Sequence, residues 1–187
     1  YKNAISHFKQ SIEISRQIGN KSGEGINLGN LGGVYSELGQ WEESISHYNQ
    51  SIEISRQIGN KLREERNLGN LGNVYFNLGQ YESAITHYKQ SIEIARQIGE
   101  KTGEGINLGN LGNVFNKLEK WKEAEKHLSV AITICTTAFP PAAGAFCGSL
   151  SLIYAQQQRI EEALSVLAEG ESLVEVMPSE HGKFLCK

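Results

Sequence analysis

Apolar residues recur every three or four positions through most of the chain, and short glycine-containing breaks interrupt them at regular intervals. Ala4, Ile5, Phe8, Ile12 and Ser15 make the first stripe, a spacing that predicts a helix over 1–18. Gly19-Asn20 stops it, because glycine tolerates the left-handed conformation that ends helices. Helices are predicted next over 22–38 and 41–58, with a tight turn at Gly39-Gln40 and a stop at Gly59-Asn60. The pattern returns over 62–78 and 81–98, around Gly79-Gln80 and ending at Gly99. It returns again over 102–118 and 121–136, where Glu119-Lys120 replaces Gly-Gln and predicts a differently built corner. Phe139-Pro140-Pro141 breaks the pattern, with proline suited to a first helical position. Helices are predicted over 142–157 and 160–176. Pro178-Ser179 breaks it once more, with Ser179 a candidate N-cap and 180–187 the opening of a further helix.

These elements repeat. Asn67-Leu-Gly-Asn-Leu-Gly-Asn-Val-Tyr75 has near copies 40 residues to either side, at Asn27–Tyr35 and Asn107–Phe115. A fixed period of this size marks a stacked array of supersecondary units. The predicted organisation is one array: residues 1–19 are the second helix of a preceding unit, and 20–59, 60–99 and 100–138 are three full units. A degenerate fourth unit spans 139–177, and 178–187 starts another helix. Neither end carries the polar helix that closes such an array, so the chain reads as an excerpt of a longer one.

The units resemble tetratricopeptide repeats in a long form of about 40 residues. Leu31-Gly32-Tyr35, Leu71-Gly72-Tyr75 and Leu111-Gly112-Phe115 carry the resemblance in the first helices. Ser44, Tyr48 and Ser51, then Ala84, Tyr88 and Ser91, then Ala124, Leu128 and Ala131 carry it in the second. The fourth unit departs further, with Leu150, Ser151 and Tyr154, then Ala163, Leu167 and Gly170. The proline that closes the family's short form is missing. Within the family, the Leu-Gly-Asn pattern is similar to animal spindle-orientation adaptors and to bacterial arrays attached to enzyme or signalling domains. The resemblance implies an all-α, right-handed superhelical solenoid of antiparallel helix pairs. It also implies a protein-interaction scaffold whose first helices line a concave groove.

Placed at 100° intervals, Leu68, Leu71, Val74, Tyr75 and Leu78 fall in an arc of about 120°, the predicted buried face. Arg66, Asn70, Asn73 and Asn77 form a stripe about 60° wide on the opposite side. Asparagine is a poor helix former, because its side chain competes for backbone hydrogen bonds. Its amide offers an acceptor and two donors, which match the C=O and N–H groups of an extended chain. Helices about 10 Å apart would array such amides as a peptide clamp. The resemblance likewise implies that Asn30, Asn70, Asn73, Asn77, Asn110 and Asn113, with Arg66, hold a ligand peptide. The competing reading is that tandem duplication copied the asparagines without a binding role. Gly33 replaces asparagine in the first unit, and Ser149 and Leu152 in the fourth predict a weaker, more apolar clamp. Arg63-Glu-Glu-Arg66 occurs in the second unit alone. Arg66 could meet an acidic ligand side chain; the alternative is a solvated cluster with internal Glu–Arg pairing.

Composition narrows the function further. Formal net charge is -3 with no basic patch, so no nucleic-acid partner is expected. No apolar run approaches the roughly 20 residues of a membrane span, and no charged-then-apolar leader is present. Cys135, Cys147 and Cys186 are odd in number, which suits free thiols in a reducing cytoplasm. His7, His47, His87 and His127 recur one per unit, too far apart to converge on a metal. Glu13/Arg16, Glu53/Arg56 and Glu93/Arg96 are predicted i,i+3 surface pairs. No nucleophile–base pair stands out, so neither catalysis nor a cofactor is expected. The predicted function is binding of an extended peptide or protein segment in the groove. Two alternatives stand beside it: a regulatory array holding the effector domain of a larger enzyme, and a spacer that self-associates through exposed apolar ends.

Overall fold

The computed structural model describes residues 1–175. The predicted N-cap Ser179 and the helix over 180–187 lie outside the described residues. Among those described, the elements are α1 (Lys2–Gln17), α2 (Lys21–Glu37), α3 (Trp41–Gln57), α4 (Lys61–Asn77), α5 (Tyr81–Ile98), α6 (Lys101–Lys117), α7 (Trp121–Ala138), α8 (Pro140–Gln156) and α9 (Ile160–Glu175). Each helix predicted over these residues is present with its ends shifted by a residue or two. The helix after Phe139 starts at Pro140, whose fixed φ suits the first turn. Asn20 and Asn60, read as parts of helix stops, are N-caps of the helices that follow. Their side chains accept from Gly23 N at 2.9 Å and Arg63 N at 3.0 Å.

Helices α1–α5 form one compact unit. Each packs on the next, and α2 also touches α4. Ile12, Leu28, Leu31, Tyr35 and Ile54 make one buried cluster, and Tyr48, Ile52, Leu68, Leu71, Val74 and Ile94 another. The Leu-Gly pair has a clear packing role here. A Cβ on Gly32 would lie 3.0 Å from the Tyr48 ring, and one on Gly72 would lie 2.6 Å from the Tyr88 ring. Only a bare backbone lets the second-helix aromatic settle so close. Burial pushes the Tyr48 hydroxyl up to about 12.

Helices α6–α9 form the second unit, with each helix on the next and α6 also touching α8. Its core holds Leu108, Leu111, Val114, Leu128, Phe146, Leu150 and Ile153. In the degenerate repeat, Arg159 lies 4.0 Å from the Tyr154 ring centroid. It donates to Glu125 Oε2 at 3.0 Å and to Glu162 Oε2 at 2.6 Å, tying α7 to the corner before α9.

The Glu119-Lys120 corner is built like the others, contrary to expectation. Gly39 and Gly79 stand at φ +69° and +70°, and Glu119 takes the same left-handed conformation at φ 56°. Gln158 does so in the fourth unit at φ 62°. The hydrogen bonds correspond: Gln40 N to Tyr35 O and Lys120 N to Phe115 O are both 2.9 Å. The packing of the flanking helices dictates the turn, and glutamate accepts the strain. The predicted pairs Glu13/Arg16 and Glu53/Arg56 are also replaced. Arg16 Nε donates instead to Glu24 at 2.7 Å, and Arg56 Nε to Glu64 at 2.7 Å, across the helix corner. Lys21 and Lys61 complete each clasp at 2.8 Å. The reason is burial: Glu24 and Glu64 are 5% and 4% exposed and need cations more than surface Glu13 and Glu53 do.

Replacing Glu119 by glycine should remove the left-handed strain and raise stability by about 1 kcal/mol, read as a higher thermal midpoint; Gln158→Gly should do the same. Hydrogen bonds from Arg16 and Lys21 hold Glu24 below its ordinary value of 4.5. At Glu64 burial pushes upward, and the bonds from Arg56 and Lys61 together outweigh it. Both folded pKa values are lowered, so this stability is present above the unfolded value and disappears as pH falls through the folded ones. In urea titrations from about pH 6 down to pH 3, Glu24→Gln with Glu64→Gln should start less stable and fall less steeply than the parent chain.

Candidate functional site

Helix α4 separates its faces as its sequence demands. Leu68, Leu71 and Val74 are buried, Tyr75 and Leu78 half-buried, and Arg66, Asn70, Asn73 and Asn77 all exposed. The asparagines are nevertheless not equivalent. Asn67, one residue past Arg66, is buried, and its Nδ2 donates to Ser51 Oγ at 2.7 Å. Ser51 Oγ donates onward to Gly25 O at 2.6 Å, so this chain of bonds joins α4 to α3 and α2. A Cβ on Gly29 would lie 2.8 Å from Asn67 Oδ1, which explains the first glycine of the repeated motif. Asn70 and Asn77 make no side-chain hydrogen bond among the described residues. Asn73 lies between these extremes: it is exposed, but the Tyr88 hydroxyl donates to its Oδ1 at 2.6 Å. That bond orients the amide and occupies part of its acceptor.

Asn30 is exposed on α2. Gly33 supplies no amide beside it, and a Cβ there would stand 3.4 Å from the Tyr48 hydroxyl. In the second unit, Asn110 and Asn113 are half-buried on α6, less presented than their counterparts on α4. Asn107 is buried and donates to Gly103 O at 2.9 Å. Leu152 is exposed on α8, in line with an apolar face on the fourth unit.

Glu64 is taken by Arg56 and Lys61, and Glu65 is buried against Ser91, whose Oγ donates to Glu65 Oε1 at 3.0 Å. Arg63 is half-buried, and its Nε is buried with no hydrogen-bond partner. Burial, then the neighbouring Arg66 charge, pushes the Arg63 guanidinium below its ordinary value. The sequence marks the Arg63–Arg66 cluster as peculiar to this repeat and places only Arg66 on the stripe. Position 63 continues the three-and-four step of the stripe.

The histidine row packs on the aromatic row of the first helices. Ring centroids lie 5.2 Å apart for Tyr35–His47, 5.0 Å for Tyr75–His87 and 5.1 Å for Phe115–His127. Among the described residues no cluster of His, Cys, Asp or Glu is placed to hold a metal, and no helix is long and apolar enough to cross a membrane. Cys135 and Cys147 are buried and in no disulfide among the described residues, and burial pushes Cys135 up to about 11.

A sequence model described as Tetratricopeptide repeat matches residues 1–57 and 64–137. The chain belongs to the tetratricopeptide repeat family. Solved structures agree with that fold. Aspartyl phosphate phosphatase F from Bacillus subtilis superposes with a TM-score of 0.87 at 18% identity, over 99% of this chain and 50% of that one. A Rap protein complexed with competence and sporulation factor gives 0.80 at 22%, over 93% and 50%. The nearly identical tetratricopeptide-like repeats of a kinesin light chain from Podosopora anserina give 0.72 at 17%, over 92% and 85%. At these identities the likeness is one of fold: an all-α tetratricopeptide solenoid, the architecture of a protein-interaction scaffold. The chain spans about half the length of the Rap protein and of the phosphatase. No curated protein matches it by sequence.

Two asparagines three residues apart should therefore behave oppositely. Asn67→Ala breaks a buried hydrogen bond and should cost about 1–3 kcal/mol. Asn70→Ala should leave stability unchanged or raise it by about 0.5 kcal/mol, alanine being the better helix former. Urea midpoints of the two variants against the parent chain check both.

Proposed function

We propose that this repeat array binds an extended protein segment along the exposed polar face of its first helices. Asn30, Arg66, Asn70, Asn73, Asn77, Asn110 and Asn113 are the residues assigned to contact it. One observation carries the reading: on α4 the fold uses Asn67 and leaves Asn70 and Asn77 exposed and unbonded. Asparagine weakens a helix relative to alanine, lysine or glutamate. Keeping it where the fold draws nothing from it favours a role in recognition. An amide row suits backbone groups, so affinity would come from main-chain hydrogen bonds rather than from one side chain. Asn73 adds a pre-set contact, its rotamer already held by Tyr88. A fold neighbour solved with competence and sporulation factor supports ligand capture as a use of this architecture. The reading includes no catalytic step. A cytoplasmic setting goes with it, since Cys135 is a buried thiol in no disulfide.

Selection of displayed random peptides on the full chain tests the proposal. The parent chain should enrich a peptide family, and a variant carrying Asn30→Ala, Asn70→Ala and Asn77→Ala should lose at least about tenfold in affinity for it while melting no earlier. No enrichment, or equal binding by the variant, would sink the reading. A mass that rises with concentration in light scattering, unaffected by selected peptides, would favour the self-associating spacer instead.

A further inference from the structure

A cleft opens between α1 and α3, two second helices of neighbouring repeats. Ile12 of α1 and Leu28 and Leu31 of α2 make its apolar floor. No residue of the asparagine stripe lines it. Its volume is about 240 Å³. Sites for drug-sized ligands hold roughly 300–1,000 Å³, so the room here suits a smaller molecule.

The polar walls carry an excess of positive charge. Lys9 of α1 lines the cleft, with its Nζ 6.0 Å from the Tyr35 ring centroid. Arg16 is held by Glu24, but Lys21 shares that carboxylate, so the clasp keeps one positive charge over. Glu13, exposed on the same wall and bonded to Gln17 at 3.2 Å, offsets one of these charges and leaves the other. His47 of α3 closes the far wall, and it differs from its counterparts. His87 and His127 each donate from Nδ1 to a carbonyl of their own helix, Ser83 O and Glu123 O, both at 2.7 Å. The Nδ1 of His47 is buried and has no hydrogen-bond partner. Burial first, then the Lys9 charge, with a smaller push from Arg16, hold its imidazole below the ordinary value against the pull of Glu43. A neutral imidazole facing two cations over an apolar floor is a place where a bound anion relieves repulsion. One repeat on, Asn49 stands where Lys9 does, so these helices pack with a neutral residue there as well.

We infer that the cleft between α1 and α3 is a binding site for a small carboxylate with an apolar body, separate from the peptide groove. Lys9 takes the carboxylate in a charge-assisted hydrogen bond, and the body lies on Ile12, Leu28 and Leu31. His47 adds a donor as the anion favours its protonated form. The site stands whether or not the amide row holds a peptide, since the two share no residue.

Hexanoate and phenylacetate offer an aliphatic and an aromatic body; hexanamide, without the charge, and acetate, without the body, are the controls. Each is titrated into the full chain at neutral pH, and the histidine imidazole signals are followed by NMR. His47 should shift saturably with at least one of the two acids, while His87 and His127 stay in place. Both controls should bind at least about tenfold more weakly than the better acid. With that acid bound, the titration midpoint of His47 should rise, because the anion stabilises imidazolium. Lys9→Asn, which copies the residue of the next repeat, should weaken binding by at least about tenfold and leave the melting temperature where it is. Changing Asn30, Asn70 and Asn77 to alanine should leave the His47 shifts intact. Absence of a saturable shift with either acid, equal binding of hexanamide, an equal response at all three histidines, or full binding by Lys9→Asn would overturn the assignment.

Discussion

Tyrosine rings resting on glycine backbone set the distance between paired helices: Tyr48 on Gly32, and Tyr88 on Gly72. The approach is so close that a single methyl group would displace the ring. Glycine inside a helix weakens it by roughly 1 kcal/mol, and here that loss is offset by burying a whole aromatic side chain. The ring then does a second job. The Tyr88 hydroxyl donates to Asn73, on the exposed stripe. Core packing and the exposed polar stripe are thus joined through one side chain.

Neighbouring repeats are joined by different means. Buried Glu24 and Glu64 each gather an arginine from the preceding helix and a lysine from their own first turn. The Asn67–Ser51–Gly25 bonds add a polar link across three helices. Every one of these connections is between near neighbours, so stability in such an array accumulates joint by joint. The exposed faces are left free of structural duty. Asn70 and Asn77, unused by the fold, can persist there because their cost stays local.

Local rules and global fold agree nearly everywhere in this chain, and the disagreements are concentrated. Glu119 accepts a left-handed turn because the corner requires it. Arg63 and Arg66 place two cations in the first two turns of α4, where the helix dipole disfavours them. Places where a sequence breaks its own rules uncompensated are where function is to be sought.

The repeat, the helices up to Glu175, the buried arc of α4 and the exposed asparagine stripe were legible in the sequence, because helical periodicity states which side of a helix faces inward. It does not state what arrives on that side. Asn67 and Asn70 are the same residue three positions apart, and only the approach of Ser51 makes one structural and leaves the other exposed. Spacing pointed Arg16 to Glu13, while the folded chain sends it to Glu24, eight residues on and across a corner. The same holds for Glu119, whose conformation comes from the helices it joins, and for Glu64, which Arg56 and Lys61 take from the charge cluster. Periodicity is a property of one helix. Partnership and its absence belong to the packing of several.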